Sequence, residues 1–281
     1  MSRILVAGTE PNAGATTVAV GLAHRLAYAG RAVRLERLAG DTRAQADAQT
    51  FSLLEFAAAT GRPLDEAGLP ADTSAVTVIE APAGADAVAI AQRLGARLVL
   101  VSTQAAAAPA GATVILNRQR TAGALALAED RLLAAPTVGR LIEASGAQVL
   151  SRSEEGDAAI CEHLVVAAIS HDAADAYYSR FPRRAVVCRA ERVDLALAAM
   201  LTGSDVLVLT GGVEPSPYLL DRAAATRSTT LLLAPERTVE TVRDIEGLFG
   251  SSPFSHEAKV ERAGALLAAA LDDATLGTLV G

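Results

Sequence analysis

Short apolar runs alternate with stretches of helical periodicity along the whole of this 281-residue chain. Strands and helices in alternation point to parallel α/β sheets, because consecutive parallel strands need a crossover long enough to hold a helix. In the first half the pattern predicts strands near 3–7, 33–37, 75–80, 97–102, 112–116 and 123–127, with helices near 15–29, 43–59, 84–94 and 137–145. The polar stretch Ser151-Arg152-Ser153-Glu154-Glu155-Gly156-Asp157 interrupts it and sets the expected boundary between a domain over 1–150 and a second over 151–281. The second half resumes with strands near 185–189, 205–210 and 230–234 and helices near 192–201, 216–225, 238–248 and 256–271. The expected fold class is α/β, a parallel sheet with flanking helices followed by a smaller α/β domain. Aromatic residues make up only 3% of the chain, so the core must be aliphatic, which suits helices packed on parallel strands.

The net charge is −7 and no run of Lys or Arg forms a stripe, which argues against nucleic acid as a partner. Cys161 and Cys188 lie far apart in apolar surroundings and read as reduced core residues of a cytoplasmic protein. Met1-Ser2-Arg3 leads directly into the first strand, so no signal peptide is expected. The uncharged span from Leu98 to Leu116 has about the length to cross a bilayer. Ser102, Thr103, Gln104, Pro109 and Gly111 sit in its middle, and strand–loop–strand is the better reading, with no membrane expected.

The strand Ile4-Leu5-Val6-Ala7 runs into Gly8-Thr9-Glu10-Pro11-Asn12-Ala13-Gly14-Ala15-Thr16-Thr17, and Val18 to Tyr28 then reads as a helix. Strand, glycine loop and helix N-terminus together offer backbone N–H groups and a helix dipole to an anion. Gly8, Asn12, Gly14, Thr16 and Thr17 are the candidate binding residues. Phosphate loops of this kind end in Gly-Lys-Ser/Thr, the lysine reaching the β/γ-phosphates and the hydroxyl holding Mg²⁺. Ala15 stands where that lysine belongs. One hydrogen bond to a charged group is worth roughly 1.5–3 kcal/mol, and phosphoryl transfer suffers more than binding because charge stabilisation dominates it. Glu10 adds negative charge to the loop, and ATP turnover is not expected. The plainer alternative is a glycine-rich turn that binds nothing.

Arg37, after the second strand, lies at the carboxyl edge where ligands of open α/β sheets bind. It is a candidate replacement cation, or else a surface arginine paired with Glu36 or Asp41. Glu80, at the end of Val76-Thr77-Val78-Ile79, is a candidate Mg²⁺ carboxylate alongside Thr16, or else an ordinary strand-end acid. In the second half, Asp205-Val206-Leu207-Val208-Leu209-Thr210-Gly211-Gly212 is again a strand entering a glycine turn, with Pro215, Ser216 and Pro217 opening a helix. A small anion on the Gly211 and Gly212 amides and a tight turn needing positive φ are both open there. Arg189-Ala190-Glu191-Arg192-Val193-Asp194 would lie beside this turn if the two strands are neighbours. His163 and His171 sit in an apolar run without acidic or cysteine partners and read as structural. No Gly-x-Ser-x-Gly elbow and no Cys/His nucleophile pair occurs.

Gly8 to Thr17, followed by Arg37, Gly40, Asp41 and Glu80, resembles the dethiobiotin-synthetase-like P-loop family, which includes the cobyrinic acid diamide synthases. The resemblance implies a P-loop-type parallel sheet and a site for ATP or ADP with Mg²⁺, with Arg37 matching the family's lysine and Glu80 its metal-proximal Glu; Ala15 is the departure. The second half resembles a DRTGG domain, through Glu191-Arg192-Val193-Asp194, Leu209-Thr210-Gly211-Gly212 and the region from Phe254 to Leu266. That likeness makes Glu191, Arg192, Thr210, Gly211 and Gly212 candidate binding residues. The segment from Glu129 to Val138 fits the link between the two. The pair resembles the N-terminal regulatory region of long phosphate acetyltransferases and their stand-alone relatives, which often lack the loop lysine. No acetyltransferase catalytic domain follows, so acetyl-phosphate chemistry is not expected. The resemblance implies a non-catalytic sensor of a nucleotide or small anionic metabolite, a homodimer acting with a separate enzyme. The rival expectation is an ATP- and Mg²⁺-dependent ligase or amidase in which Arg37 replaces the lysine.

Overall fold

The computed structural model describes residues 2–71, 74–170, 173–251, 254 and 256–281. The chain forms two compact units, one of Met1–Leu133 with Pro253–Gly281 and one of Ala134–Ser252.

The first unit begins with β1 (Arg3–Gly8), α1 (Ala15–Tyr28), β2 (Val33–Arg37) and α2 (Ala44–Ser52). It continues with β3 (Val76–Glu80), α3 (Ala87–Leu94), β4 (Arg97–Ser102), β5 (Thr113–Gln119) and β6 (Ala126–Ala128), and the short α4 (Arg131–Ala134) follows. Its six strands pair in the order β2-β3-β1-β4-β5-β6, all parallel. Alternate residues of β1 supply opposite faces, as strand geometry requires. Ile4 and Val6 join Val18, Leu22 and Leu26 of α1, while Leu5 and Ala7 join Ile90 and Ala91 of α3.

In the second unit α5 (Val138–Ser145), β7 (Gln148–Ser151), β8 (His163–Val166), α6 (Ala173–Tyr178), β9 (Arg184–Arg189) and α7 (Val193–Leu201) come first. They are followed by β10 (Val206–Thr210), α8 (Pro217–Thr226), β11 (Thr230–Leu233) and α9 (Thr238–Glu246). The sheet order is β7-β11-β10-β9-β8, with β7 antiparallel and the rest parallel. One face packs on α6, α7 and α8 through Tyr178, Leu195 and Leu219, and the other on α5 and α9 through Leu141 and Ile245. Cys161 and Cys188 are both buried free thiols, and burial pushes both upward in pKa.

The chain then returns to the first unit as α10 (Glu257–Ala270) and α11 (Asp273–Val280). This return corrects the expected division at 150/151. The polar stretch after Ser151 is a surface loop of the second unit, stitched to the start of β11: the Ser153 N–H donates to Thr230 Oγ1 at 3.1 Å and the Glu154 N–H to the Arg227 carbonyl at 3.1 Å. α10 instead buries Val260, Ala263, Leu266, Leu267 and Ala270 in the core that α1 lines. Glycines set that approach: a Cβ on Gly21 would lie 2.8 Å from the Ala263 carbonyl oxygen, and one on Gly264 2.2 Å from His24 Nδ1.

α2 ends earlier than its expected limit at 59, because the following chain turns along the outer edge of β2. There the Leu35 N–H donates to the Ala58 carbonyl at 2.8 Å, covering an edge strand. β7, α6 and α11 were not predicted, each being short and without strong periodicity. The span 98–116 is strand, loop and strand, and among the described residues no single helix is long and apolar enough to cross a membrane.

Candidate functional site

In the first unit β2 and β3 lie on one side of β1 and β4 to β6 on the other, so the strand order reverses at β1/β4. Open α/β sheets form their ligand crevice at such a point, beyond the carboxyl ends of the strands. The glycine loop leaves β1 there. Gly14 caps α1 with φ 98° and ψ 29° and no side-chain cap, leaving the first-turn amides open to an anion. A Cβ on Gly14 would stand 2.1 Å from Asn117 Nδ2, which itself donates to the Ala13 carbonyl at 2.8 Å. Glycine is required here by both conformation and space.

Glu10 is a strut of the loop. Its Oε1 accepts from the Thr103 N–H at 2.8 Å and the Thr103 hydroxyl at 2.7 Å, and its other oxygen accepts from the Thr9 hydroxyl. Those hydrogen bonds, Thr9 first and then Thr103, hold its carboxyl below the usual range. The Gln119 amide donates to the Thr103 and Asn117 carbonyls at 3.0 and 2.8 Å, tying the exits of β4 and β5 together.

On the other side of the loop, Thr16 donates to Glu80 Oε1 at 2.8 Å. Glu80 is 4% exposed and pairs in register with Arg37 across β2 and β3. Arg37 is 2% exposed and is committed inward. It donates to Asp41 Oδ2 at 2.5 Å and to the Leu38 carbonyl at 2.8 Å, and its Nε lies 3.6 Å from Asp47 Oδ2 and 3.7 Å from Glu80 Oε2. Burial pushes the Glu80 carboxyl up to about 7, with Arg37 and Thr16 opposing and Asp47 adding. Burial also raises Asp47. Burial works to raise Asp41 too, but the Ala83 N–H, the Arg37 guanidinium and the Arg43 N–H hold it below its ordinary value. Arg37 is thus neither a surface residue nor a cation directed at the loop, and Glu36 is taken up by Arg34 and Thr60 instead.

A cation that does touch the loop is Arg43, at the start of α2. Its Nη1 lies 3.4 Å from Asn12 Oδ1 and its Nη2 3.7 Å from Asp47 Oδ1, with the side chain 43% exposed. The Thr16 and Glu80 oxygens expected to hold Mg²⁺ face a fixed cation of the chain itself. Thr16 donates its hydroxyl proton to one oxygen of Glu80, the other faces a guanidinium, and among the described residues no three His, Cys, Asp or Glu side chains are placed to hold a metal.

In the second unit β9 and β10 are neighbours, with Arg189 opposite Thr210, so the segment after β9 does lie beside the glycine turn. Gly211 and Gly212 have φ of 96° and 64°, and their amides are spent: Gly211 donates to the Glu236 carbonyl at 2.8 Å and Gly212 to that of Ala234 at 3.1 Å. This corrects the reading of those amides as anion donors, in favour of a tight turn that only glycine adopts easily. Thr210 is buried on the Thr238 hydroxyl at 2.8 Å. Glu191 and Arg192 are exposed in local pairs, Arg189–Glu191 at 3.2 Å and Arg192–Asp194 at 2.7 Å. The Arg192 hydrogen bonds bring Asp194 down to about 2. His163 Nδ1 meets the Pro182 carbonyl at 2.7 Å, a structural contact, while His171 lies outside the described residues.

A family model, that of the DRTGG domain, matches residues 140–248. The second unit is similar to that domain over those residues. Among solved structures, the chain is similar to the CBS and DRTGG domains of the regulatory region of Clostridium perfringens pyrophosphatase, crystallised with its activator diadenosine tetraphosphate. That likeness has 18% identity and a TM-score of 0.34, over 43% of this chain and 52% of that one. The chain thus spans about half of that structure. No curated protein matches the chain.

The DRTGG-like match stops at 248, so the Phe254–Leu266 region belongs instead with the first unit. Of the expected residues, the structure brings together Gly8, Asn12, Gly14, Thr16 and Thr17 around α1, with Arg37 and Glu80 behind Thr16. It gathers Glu191, Arg192, Thr210, Gly211 and Gly212 at the carboxyl edge of the DRTGG-like sheet. Missed in sequence were Arg43, Asp47, Thr103 and Asn117. Asn117 lies near the carboxyl end of β5 and Thr103 follows β4, at the edge where loop residues converge, a signal that strand order would have supplied.

Proposed function

We propose that this protein is a ligand-sensing regulatory protein whose glycine loop binds a nucleotide or small anionic metabolite without turning it over. The observation that carries this reading is the commitment of Arg37 to Asp41, Asp47 and Glu80. With Ala15 at the lysine position, the loop keeps amides, two hydroxyls and Arg43 at its rim, and Arg37, the buried cation beside it, is held by carboxylates. Phosphoryl transfer depends on such charge stabilisation, whereas binding needs only part of it. The DRTGG-like match over 140–248 supports a regulatory role. In this reading the chain is cytoplasmic, works as a homodimer and acts on a separate enzyme, as its resemblance to the regulatory region of long phosphate acetyltransferases implies.

Calorimetric titration of the intact chain with ATP and ADP, beside an ATP hydrolysis assay with Mg²⁺, tests this. Saturable binding without hydrolysis is the expected result. Mg²⁺-dependent hydrolysis that Arg37→Ala abolishes would overturn it in favour of the ligase or amidase chemistry.

A further inference from the structure

Three carboxylates from three separate elements converge on one buried guanidinium. Glu80 ends β3, Asp41 follows β2, and Asp47 lies in the first turn of α2. Around Arg37 their oxygens lie at 3.7 Å from Nε, 2.5 Å from Nη2 and 3.6 Å from Nε, in that order. Thr16 adds a hydroxyl from the first turn of α1. Carboxylate and hydroxyl oxygens beside a phosphate loop are the hard donors that hold a divalent ion against a phosphate. Arg37 fills their centre instead. A guanidinium is always charged, weakly hydrated and planar, so it suits burial among carboxylates better than a strongly hydrated ion does. A second cation placed there would share Glu80 and Asp47 with Arg37 and face its charge where solvent screens little.

We infer that Arg37 is the built-in counter-ion of Asp41, Asp47 and Glu80, supplying beside the loop the positive charge that a divalent metal would bring, and that the glycine loop takes its phosphate as the free, metal-uncomplexed anion. The first half stands on the geometry; the second rests on the anion-binding reading above. Arg43, which also faces Asp47, completes the neutralisation from the solvent side.

The test uses the intact chain with Mn²⁺ alone, followed by electron paramagnetic resonance, and with ADP in either EDTA or Mg²⁺. Expected are no Mn²⁺ uptake that Glu80→Gln removes, a melting temperature that Mg²⁺ leaves unmoved, and the same ADP Kd in both conditions. Arg37→Met, which leaves the carboxylates without their counter-ion, melts lower and regains melting temperature with Mn²⁺, because a ligand of the folded state stabilises it. Mn²⁺ bound by the natural chain and lost in Glu80→Gln overturns the inference, as does an Arg37→Met melt indifferent to Mn²⁺. An ADP affinity that falls about tenfold or more on chelation, the worth of one charge-assisted contact, overturns its second half. Absence of ADP binding in both conditions defeats the anion-binding reading itself, while the Mn²⁺ arm still judges Arg37. Should Arg37→Met not fold, the comparison of the natural chain with Glu80→Gln decides.

Discussion

The Thr16 hydroxyl donates to Glu80 Oε1 at 2.8 Å, locking the first turn of the helix that follows the glycine loop to the end of the adjacent strand. The acceptor is a carboxyl that burial pushes from an ordinary 4.5 up to about 7. Between those values the folded chain holds a proton there that the unfolded chain has lost. This contribution is therefore fully present below 4.5 and is lost as pH rises to about 7, a span on the order of 3 kcal/mol. Asp47, also raised, adds to the same slope, whereas the lowered Asp41 contributes in the opposite sense at more acid pH. Urea melts from pH 4 to 8 should show a fall in stability across this window that Glu80→Gln flattens, with the variant the more stable at pH 8.

Gly14→Ala puts a Cβ 2.1 Å from Asn117 Nδ2 at a φ of 98°. Strain of this kind costs on the order of 1–3 kcal/mol before the collision is counted. Chemical denaturation should show a loss of at least that size, and ADP titration a weakened or absent signal. A Gly14→Ala variant of undiminished stability would contradict this loop geometry.

Arg43→Ala removes the cation at Asn12 while breaking only a half-exposed pair with Asp47 at 3.7 Å. The melting midpoint should change by about 1 kcal/mol or less in free energy. ADP affinity should fall by about tenfold or more, since a charge-assisted contact is lost. Equal affinity in both proteins would remove Arg43 from the site.

Gly264→Ala and Gly21→Ala test the return of the chain to its first unit. The first drives a Cβ to 2.2 Å from His24 Nδ1 and the second to 2.8 Å from the Ala263 carbonyl oxygen. Overpacking of this kind costs about 1–3 kcal/mol. A fragment of residues 134–252 should fold alone by circular dichroism, whereas one ending at residue 150 should not, because the α1 surface that α10 buries would be exposed.

Much of the fold was legible because its strands are locally encoded. Leu98 to Val101 and Val206 to Leu209 are unbroken apolar runs, and the helices after Gly14 and Ser216 carry glycine and proline at their starts. Arg37 and Glu80 were each visible as strand-end residues, and so was each glycine turn. Their relations were not, since pairing Arg37 with Glu80, or bringing Arg43 to Asn12, depends on which strands become neighbours.

Local periodicity and turn chemistry therefore determined the α/β class, the positions of most strands, and the two loops where the backbone must take positive φ. Tertiary structure alone decided what those loops can do. It spent the amides of Gly211 and Gly212 on internal carbonyls while leaving the first-turn amides of α1 open. It turned Arg37 into three carboxylates and carried α10 back over α1. Each of these is a long-range choice between burying a group with a partner and leaving it to water, and no local pattern carries the identity of a partner far away in sequence.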